Sequence, residues 1–227
     1  MVSPNLRLKA VLLDLDGTLV DTPHAIVDIC QRTLGELGHP PADEALIRST
    51  IGLPLPVCLA TLLGIEPEDT GPAVDIYRVF WRAEVTPRLA QLLYPGVLEG
   101  LQRLSQRFKL GVVTGKAQEG ADGTVDGARL RPFMSVVLGY TSVNNPKPAP
   151  DLALEAARRL GIDPAHCLVV GDSELDLKMA TAAGMRSIGV TYGAQPEAAL
   201  RAAHPTRLSH SFSEAVQIIE ELATLPP

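Results

Sequence analysis

Two acidic residues, one position apart, follow the first apolar run of the chain. Asp14 and Asp16 come directly after residues 10–13 and before Gly17 and Thr18. If residues 10–13 form a buried strand, alternation along it turns both carboxylates to the same side. Two negative charges this close repel each other, so a cation or a proton is expected to compensate them.

A second acidic pair follows a later apolar run, residues 167–170. Asp172 and Asp176 are four residues apart at the predicted start of a helix, where they can reach one side of the opening. The helix dipole alone favours acids in a first turn, so Asp176 by itself has an ordinary structural explanation. Combined with Asp14 and Asp16, the set forms a hard, oxygen-rich site of the kind that suits Mg²⁺.

Two further segments have the chemistry to bind an anion. Thr114 and Gly115 follow the apolar run at residues 110–113, and a hydroxyl with free backbone N–H groups at such a turn can hold phosphate oxygens. Lys147 lies between two prolines that restrict the backbone around it. A rigidly placed lysine is a reasonable partner for a carboxylate or a phosphate, although a single lysine is by default a solvated surface charge.

These segments lie at the ends of short apolar runs that are separated by helical patterns. The five strand candidates are residues 10–13, 110–113, 135–138, 167–170 and 187–190. Most are rich in Val, Leu or Ile, as strands buried on both faces of a parallel sheet are. Between them, Pro150 begins a helical pattern that stops at Gly161, and Ser173 can cap another that ends before Gly184. This alternation predicts an α/β fold with a doubly wound parallel sheet.

One region interrupts the alternation. Residues 22–92 contain helical stretches and turns but no convincing strand, and a length of roughly 70 residues suits a small bundle of four helices. We therefore expect a helical domain at residues 22–92, inserted in an α/β core made of residues 1–21 and 93–227.

Composition excludes several classes of protein. The 227 residues are 46% hydrophobic and 20% charged, which is typical of a globular chain and not of a disordered or fibrous one. The formal net charge of −6 provides no basic footprint for a nucleic-acid backbone. The longest uncharged stretch, residues 51–65, is too short for a membrane span. Cys30, Cys58 and Cys167 are widely spaced and odd in number, as expected of reduced thiols in a cytoplasmic protein.

The four polar segments together resemble the motifs of the haloacid dehalogenase-like hydrolase superfamily, whose members are mostly Mg²⁺-dependent phosphatases. Residues 14–22 read Asp-Leu-Asp-Gly-Thr-Leu-Val-Asp-Thr and match its first motif. Thr114 matches the second motif, Lys147 the third, and residues 171–176, Gly-Asp-Ser-Glu-Leu-Asp, the fourth. A helical insert directly after the first motif is similar to the cap of the phosphoglycolate phosphatase branch, and residues 51–55 resemble its cap loop.

This resemblance implies a catalytic or binding role for each matching residue. Asp14 would be the nucleophile that forms an aspartyl-phosphate, and Asp16 the general acid and base. Thr114 and the backbone of Gly115 would bind the phosphate. Lys147 would balance the charge of Asp14 and the phosphate together.

The resemblance also implies a magnesium site. Mg²⁺ would be held by the carboxylates of Asp14 and Asp172 and by the main-chain carbonyl of Asp16. Asp176 would orient the metal site from behind these ligands. The expected function is therefore Mg²⁺-dependent hydrolysis of a small phosphorylated metabolite.

Two features depart from the family pattern. Gly115 stands where close relatives often have Asn or Ser, but its backbone N–H group is retained. Gly120, Gly123 and Gly127 weaken the helix expected across residues 117–134 by about 1 kcal/mol each, so whether this segment is helical is left open.

The insert is expected to select the substrate. Leu53 in the expected cap loop and the nearby Arg48 are the candidates for contact with the leaving group. Other polar candidates in the insert are His24, Arg78, Arg82 and Arg88. The expected substrate is phosphoglycolate, a sugar phosphate or a nucleoside monophosphate. The protein is expected to be a monomer or homodimer that binds neither nucleic acid nor membrane.

Two other functions are kept as alternatives. A β-phosphoglucomutase-like phosphotransferase would need a cap that shields the aspartyl-phosphate from water. A protein that only binds a phosphorylated ligand would not need every catalytic position to be filled, as it is here. Dehalogenation is disfavoured because dehalogenases lack the second acid of the first motif, which is Asp16 in this chain.

Overall fold

The computed structural model of the protein describes residues 7–224, whose centre is a six-stranded parallel sheet with the order β3-β2-β1-β4-β5-β6. The strands are β1 (Ala10–Leu13), β2 (Lys109–Thr114), β3 (Val136–Gly139), β4 (Cys167–Gly171), β5 (Arg186–Val190) and β6 (Arg207–Ser209). The helices are α1 (Pro23–Glu36), α2 (Glu44–Thr50), α3 (Leu55–Leu63), α4 (Gly71–Glu84), α5 (Val97–Ser105), α6 (Gln118–Gly127), α7 (Asp151–Leu160), α8 (Glu174–Ala182), α9 (Glu197–Ala202) and α10 (Phe212–Thr224).

The sheet separates two apolar clusters. Along β1, Val11 and Leu13 pack into the larger cluster, which also contains Leu101 of α5 and Phe212 of α10. Ala10 and Leu12 belong to a second cluster, which α7 and α8 help to form. Because every residue of β1 is buried, the strand is apolar throughout rather than alternating with polar residues. The predicted doubly wound α/β fold is confirmed.

Five strands lie where the apolar runs predicted them, within two residues at either end. The sixth strand, β6, was not predicted because residues 207–209 read Arg-Leu-Ser and contain no apolar run. The expected helix ends are also confirmed. Gly161 follows α7 in the left-handed conformation, and Ser173 caps α8. Within the glycine-rich segment, α6 is the only α-helix and ends well before residue 134, and a short 3-10 helix follows at Arg131–Phe133.

Helices α1 to α4 follow one another in the chain between β1 and α5, as the sequence predicted for the insert. Helix α1 packs against α2 and α4, and α3 packs against both α2 and α4. Arg32 of α1 binds Glu84 at the end of α4 at 2.5 Å and lies over the ring of Phe80. The division into a domain at residues 22–92 and a core around it is kept as a proposal. Residues 1–6 and 225–227 of that core lie outside the described residues.

Within residues 7–224, no helix combines the length and the hydropathy that crossing a bilayer requires.

The contact between α5 and α10 leaves no room for a side chain at Gly100. A Cβ atom there would lie 2.7 Å from Cε1 of Phe212 and 2.8 Å from Cγ2 of Val216. We expect Gly100→Ala to lower the free energy of unfolding by about 1–3 kcal/mol, since overpacking outweighs the better helix propensity of alanine. Urea denaturation measures this change. Gly35→Ala in α1 is the matched control, because its Cβ meets nothing within 4 Å. Equal stability of the two variants would contradict the packing described here.

Candidate active site

Four polar segments converge at the carboxyl edge of the sheet. Asp14 directly follows β1, Thr114 is the last residue of β2, and Asp172 directly follows β4. Lys147 is in the connection between β3 and α7 and reaches the same edge. Because neighbouring parallel strands end at the same edge, residues that are distant in sequence come together there.

Lys147 joins two of the carboxylates. Its Nζ donates to Oδ1 of Asp14 at 2.9 Å and to Oδ1 of Asp176 at 2.5 Å. The Lys147 side chain is fully buried, and those of both acids are almost so. A buried lysine is tolerated only when it is paired, so the two acids hold Lys147 in one position.

Asp176 is itself held by the start of α8. Its Oδ2 accepts from Oγ of Ser173 at 2.5 Å and from the Ser173 backbone N–H at 3.2 Å. With the return bond from the Asp176 backbone to Ser173, this is a capping box. Both oxygens of Asp176 therefore have protein partners, which suits the orienting role that the family resemblance implies.

Asp172 is fixed by donors and by close backbone contact. Oδ1 accepts from Oγ1 of Thr18 at 3.0 Å, and Oδ2 accepts from the backbone N–H of Ala194 at 2.7 Å. A Cβ atom at Gly17 or at Gly193 would lie 2.2 or 2.3 Å from an atom of the Asp172 side chain. Gly17 also has a φ of +81°, which favours glycine. The loops after β1 and after β5 can approach Asp172 only because these positions have no side chain.

The buried carboxylates carry more negative charge than the protein balances. Carboxylate oxygens of Asp14, Asp172 and Asp176 all lie within 4.8 Å of one another, with Lys147 as their neighbouring cation. Burial raises the pKa of Asp14 from 3.8 to about 6, against the opposing effect of Lys147. Burial and the charges of Asp14 and Asp176 also raise the pKa of Asp172. A hard divalent cation would relieve this repulsion, so the residues fit the Mg²⁺ that the family resemblance implies.

The carboxylate of Asp16 has partners of its own outside the group of Asp14, Asp172 and Asp176. Its Oδ1 accepts from Oγ1 of Thr22 at 2.6 Å, and its Oδ2 lies 2.9 Å from Nζ of Lys116. The same Nζ is 3.9 Å from the ring centroid of Trp81 in α4. Lys116 therefore connects the first acidic segment to the insert.

Lys116, Trp81 and Ser173 were not identified as site residues from the sequence. Lys116 follows Thr114 and Gly115, so its place beside the turn expected to bind phosphate was an available signal. Trp81 offered no such signal, because its distance from Lys116 is set by how the insert packs.

The insert closes over the turn that follows β2. A Cβ atom at Gly115 would lie 2.1 Å from the carbonyl oxygen of Gly52. Leu53 lines a cavity of about 320 Å³ that also borders Asp14, Asp16 and Thr114. Arg48 is not brought to this cavity; it donates to Glu44 at 2.7 Å and lies 3.0 Å from Nδ1 of His24.

The sequence of the chain matches the model of a protein family over residues 11–190, described as haloacid dehalogenase-like hydrolase. The chain belongs to this family. It is 41% identical to the "Probable phosphatase IndB" of Dickeya dadantii over 95% of each chain. It is 33% identical to the N-acetylmuramic acid 6-phosphate phosphatase of Pseudomonas putida, over 83% of this chain and 85% of the other.

The structure of the chain is also similar to a solved structure of this kind. A crystal structure of a predicted phosphoglycolate phosphatase from Haemophilus somnus superposes with a TM-score of 0.80 and 25% identity, covering 93% of this chain and 97% of the other. The chain is thus a hydrolase of the haloacid dehalogenase-like family that is similar to the family's phosphatases, including phosphoglycolate phosphatases.

Removing the buried cation tests the electrostatics of the site. We expect Lys147→Met to lower the free energy of unfolding by about 3–5 kcal/mol at pH 8, because it leaves buried carboxylates unpaired. The pKa of Asp14 is higher in the folded state than in the unfolded state, so Asp14 costs stability as the pH rises through about 6. Without Lys147 this cost increases, and the destabilisation should be smaller at pH 5 than at pH 8.

Urea denaturation in EDTA at both pH values measures the effect, since EDTA keeps metal ions from replacing the lost charge. Lys178→Met is the matched control. Lys178 is an exposed lysine paired with Glu174 at 2.6 Å, and such a surface pair contributes about 0.3–0.5 kcal/mol. If Lys147→Met lowered the free energy of unfolding as little as the control does at both pH values, the carboxylates of Asp14, Asp172 and Asp176 would not depend on the charge of Lys147.

Proposed function

We propose that the protein is a Mg²⁺-dependent phosphatase that hydrolyses a small phosphate monoester through an aspartyl-phosphate intermediate. The supporting observation is the position of Asp14. Its Oδ1 is held by Lys147, while Oδ2 has no hydrogen-bond donor among residues 7–224 and the residue borders the cavity. A carboxylate fixed at one oxygen and open at the other is suited to nucleophilic attack.

The reaction divides between two acids. Attack by Oδ2 of Asp14 forms a bond to phosphorus and breaks the bond from phosphorus to the leaving oxygen. Asp16 borders the same cavity and gives the leaving oxygen its proton; it then takes a proton from the water that hydrolyses the intermediate. Thr22 and Lys116 fix the orientation of the Asp16 carboxylate.

The phosphoryl group is bound by the remaining polar residues of this edge. Thr114 at the end of β2 and the backbone of Gly115 directly after it would donate to its oxygens, and Lys147 would be the nearby positive charge. Asp14 and Asp172, with the main-chain carbonyl of Asp16, would hold Mg²⁺, and Asp176 would orient the site through Lys147. Bound Mg²⁺ would neutralise part of the phosphate charge.

The alternatives from the sequence give different assay results. A β-phosphoglucomutase-like enzyme would isomerise a sugar phosphate with little net release of phosphate, and a binding protein would release none. The cytoplasmic location, the monomer or homodimer, and the roles of Arg48 and Leu53 stay predictions.

Replacing the nucleophile should abolish turnover and leave the fold intact. We expect Asp14→Asn to reduce phosphate release from p-nitrophenyl phosphate to the level of the buffer blank, because an amide cannot attack phosphorus. Asp28→Asn, on the exposed face of α1, is the control and should keep full activity. Circular dichroism checks that both variants fold. Near-normal turnover by Asp14→Asn would rule out this nucleophile.

Metal dependence is tested by chelation. EDTA should abolish activity and Mg²⁺ should restore it, because the carboxylates of the site need a cation before they can accept a phosphate. Asp172→Ala should raise the Mg²⁺ concentration for half-maximal activity, or remove activity, and Asp176→Ala should have a milder effect. Full activity in excess EDTA would end the proposal of a metal-dependent reaction.

A further inference from the structure

The cavity beside Asp14 and Asp16 is larger than a small leaving group needs. Its volume of about 320 Å³ falls in the range of roughly 300–1,000 Å³ that is typical of pockets for small organic ligands. A two-carbon acid such as glycolate would leave much of this space to water. The dimensions of the cavity therefore favour a bulkier leaving group.

Two glycines on one wall enlarge this space. Gly120 and Gly123 of α6 both line the cavity. A Cβ at Gly123 would have no neighbour within 4 Å, and one at Gly120 would only reach ordinary contact with Lys116, at 3.7 Å. Glycine weakens a helix, and among the described residues nothing in the packing requires it at either position. The open surface of α6 thus has room for part of a ligand.

Helix α4 supplies an aromatic and a cationic part of the wall. Tyr77 and Trp81 stack with their ring centroids 6.0 Å apart, and both line the cavity. Arg78 and Arg82 line it as well, one turn apart on the same helix. Like charges at this spacing repel, and within residues 7–224 neither arginine has an ion-pair partner within 4 Å.

No other charged residue that lines the cavity forms an ion pair with these arginines within 4 Å, in the part of the chain that the structure describes. Lys116 is already paired with Asp16. Glu119, on α6, lines the cavity but forms no ion pair within 4 Å in the described part of the chain. By contrast, Arg32, Arg48 and Arg201 of other helices are each paired with a glutamate. Two unpaired arginines beside the site provide charge for an anionic group.

We infer that the leaving group of the physiological substrate is a ring-sized body that carries a second anionic group. The body contacts Trp81 and the glycine surface of α6, and the anionic group binds Arg78 and Arg82. This inference rests on the proposed phosphatase function and narrows its substrate class. It disfavours phosphoglycolate because of its size, and neutral sugar phosphates because they lack the second charge.

A matched pair of esters tests the charge. Glucose 1-phosphate and glucuronic acid 1-phosphate share the ring and the leaving oxygen. They differ only at C6, which is a hydroxymethyl group in the first and a carboxylate in the second. We expect kcat/KM about ten- to a hundred-fold higher for the acid, as the loss of a charge-assisted hydrogen bond predicts. The double variant Arg78→Met, Arg82→Met should bring this ratio close to one. Arg88→Met, an exposed arginine that does not line the cavity, should leave the ratio unchanged.

Substitutions in α6 test the size. Gly123→Ala should raise Tm by about 1–4 °C, because alanine favours the helix and its methyl group meets no protein atom. Gly123→Leu fills the cavity and should raise KM for glucuronic acid 1-phosphate at least ten-fold more than KM for phosphoglycolate. Gly35→Ala, which is remote from the cavity, should change neither KM. Equal effects on both KM values, or a wild-type preference for phosphoglycolate, would overturn the inference of a ring-sized body.

Binding separates this inference from the proposed reaction. Titration calorimetry with Asp14→Asn in Mg²⁺ measures the affinity for each ester without turnover, while phosphate release from p-nitrophenyl phosphate by the wild type measures the reaction. Tighter binding of glucuronic acid 1-phosphate than of glucose 1-phosphate supports the inference even if no phosphate is released. Glucose 1,6-bisphosphate shows whether a second phosphate serves as well as a carboxylate. If glucose 1-phosphate or uridine 5′-monophosphate bound as tightly as glucuronic acid 1-phosphate, or more tightly, the inference of a second anionic group would be overturned.

Discussion

The structure depends on one buried lysine between two buried carboxylates. Burial alone would lower the pKa of Lys147, but Asp14 and Asp176 raise it above its usual range, so Lys147 stays charged. In turn, Lys147 holds Asp14 in place while the pKa of that acid is raised by burial. The three groups lie on segments far apart in sequence, after β1, before α7 and at the start of α8. The attraction of Lys147 for both acids is therefore a constraint on the sheet as well as on the chemistry.

Asp176 shows how one residue serves both the fold and the site. Through Oδ2 it completes the capping box of α8, and through Oδ1 it binds Lys147. The helix dipole, which by itself explains an acid in a first turn, here supports the negative end of an ion pair. The capping box gives Asp176 its ordinary structural explanation, and its contact with Lys147 supports the proposed functional one. From the sequence alone the two explanations are alternatives, but the geometry makes them compatible.

The fold and much of the candidate site could be predicted from local sequence. Strand β1 is apolar throughout and the acids directly follow it. The strand at residues 10–13 and the location of Asp14 and Asp16 at its carboxyl end could therefore be predicted from the sequence. The contact between Lys116 and Trp81 could not be predicted, because it joins the turn after β2 to a helix of the insert and no local pattern encodes how the insert packs. Arg48 is the opposite case, a residue that the sequence makes a candidate but that the structure does not bring to the cavity. It belongs to the insert and has polar reach, but Glu44 and His24 hold it outside the cavity lining.

Under the proposed function, the glycines around the site differ between the phosphate end and the leaving-group end, and the difference would separate catalysis from selection. At the phosphate end, a Cβ on Gly17 or Gly115 would collide with Asp172 or with the backbone of Gly52, so these positions are fixed by the approach of neighbouring segments. At the other end, Gly123 faces open space and no described atom requires it to be glycine. A side chain at the first end would disrupt the geometry of the reacting groups whatever the substrate, because those groups are shared by every ester. A side chain at the second end would change only the room available to the leaving group. Sequence change at Gly123 can therefore alter which ester is bound while the reacting groups stay in place.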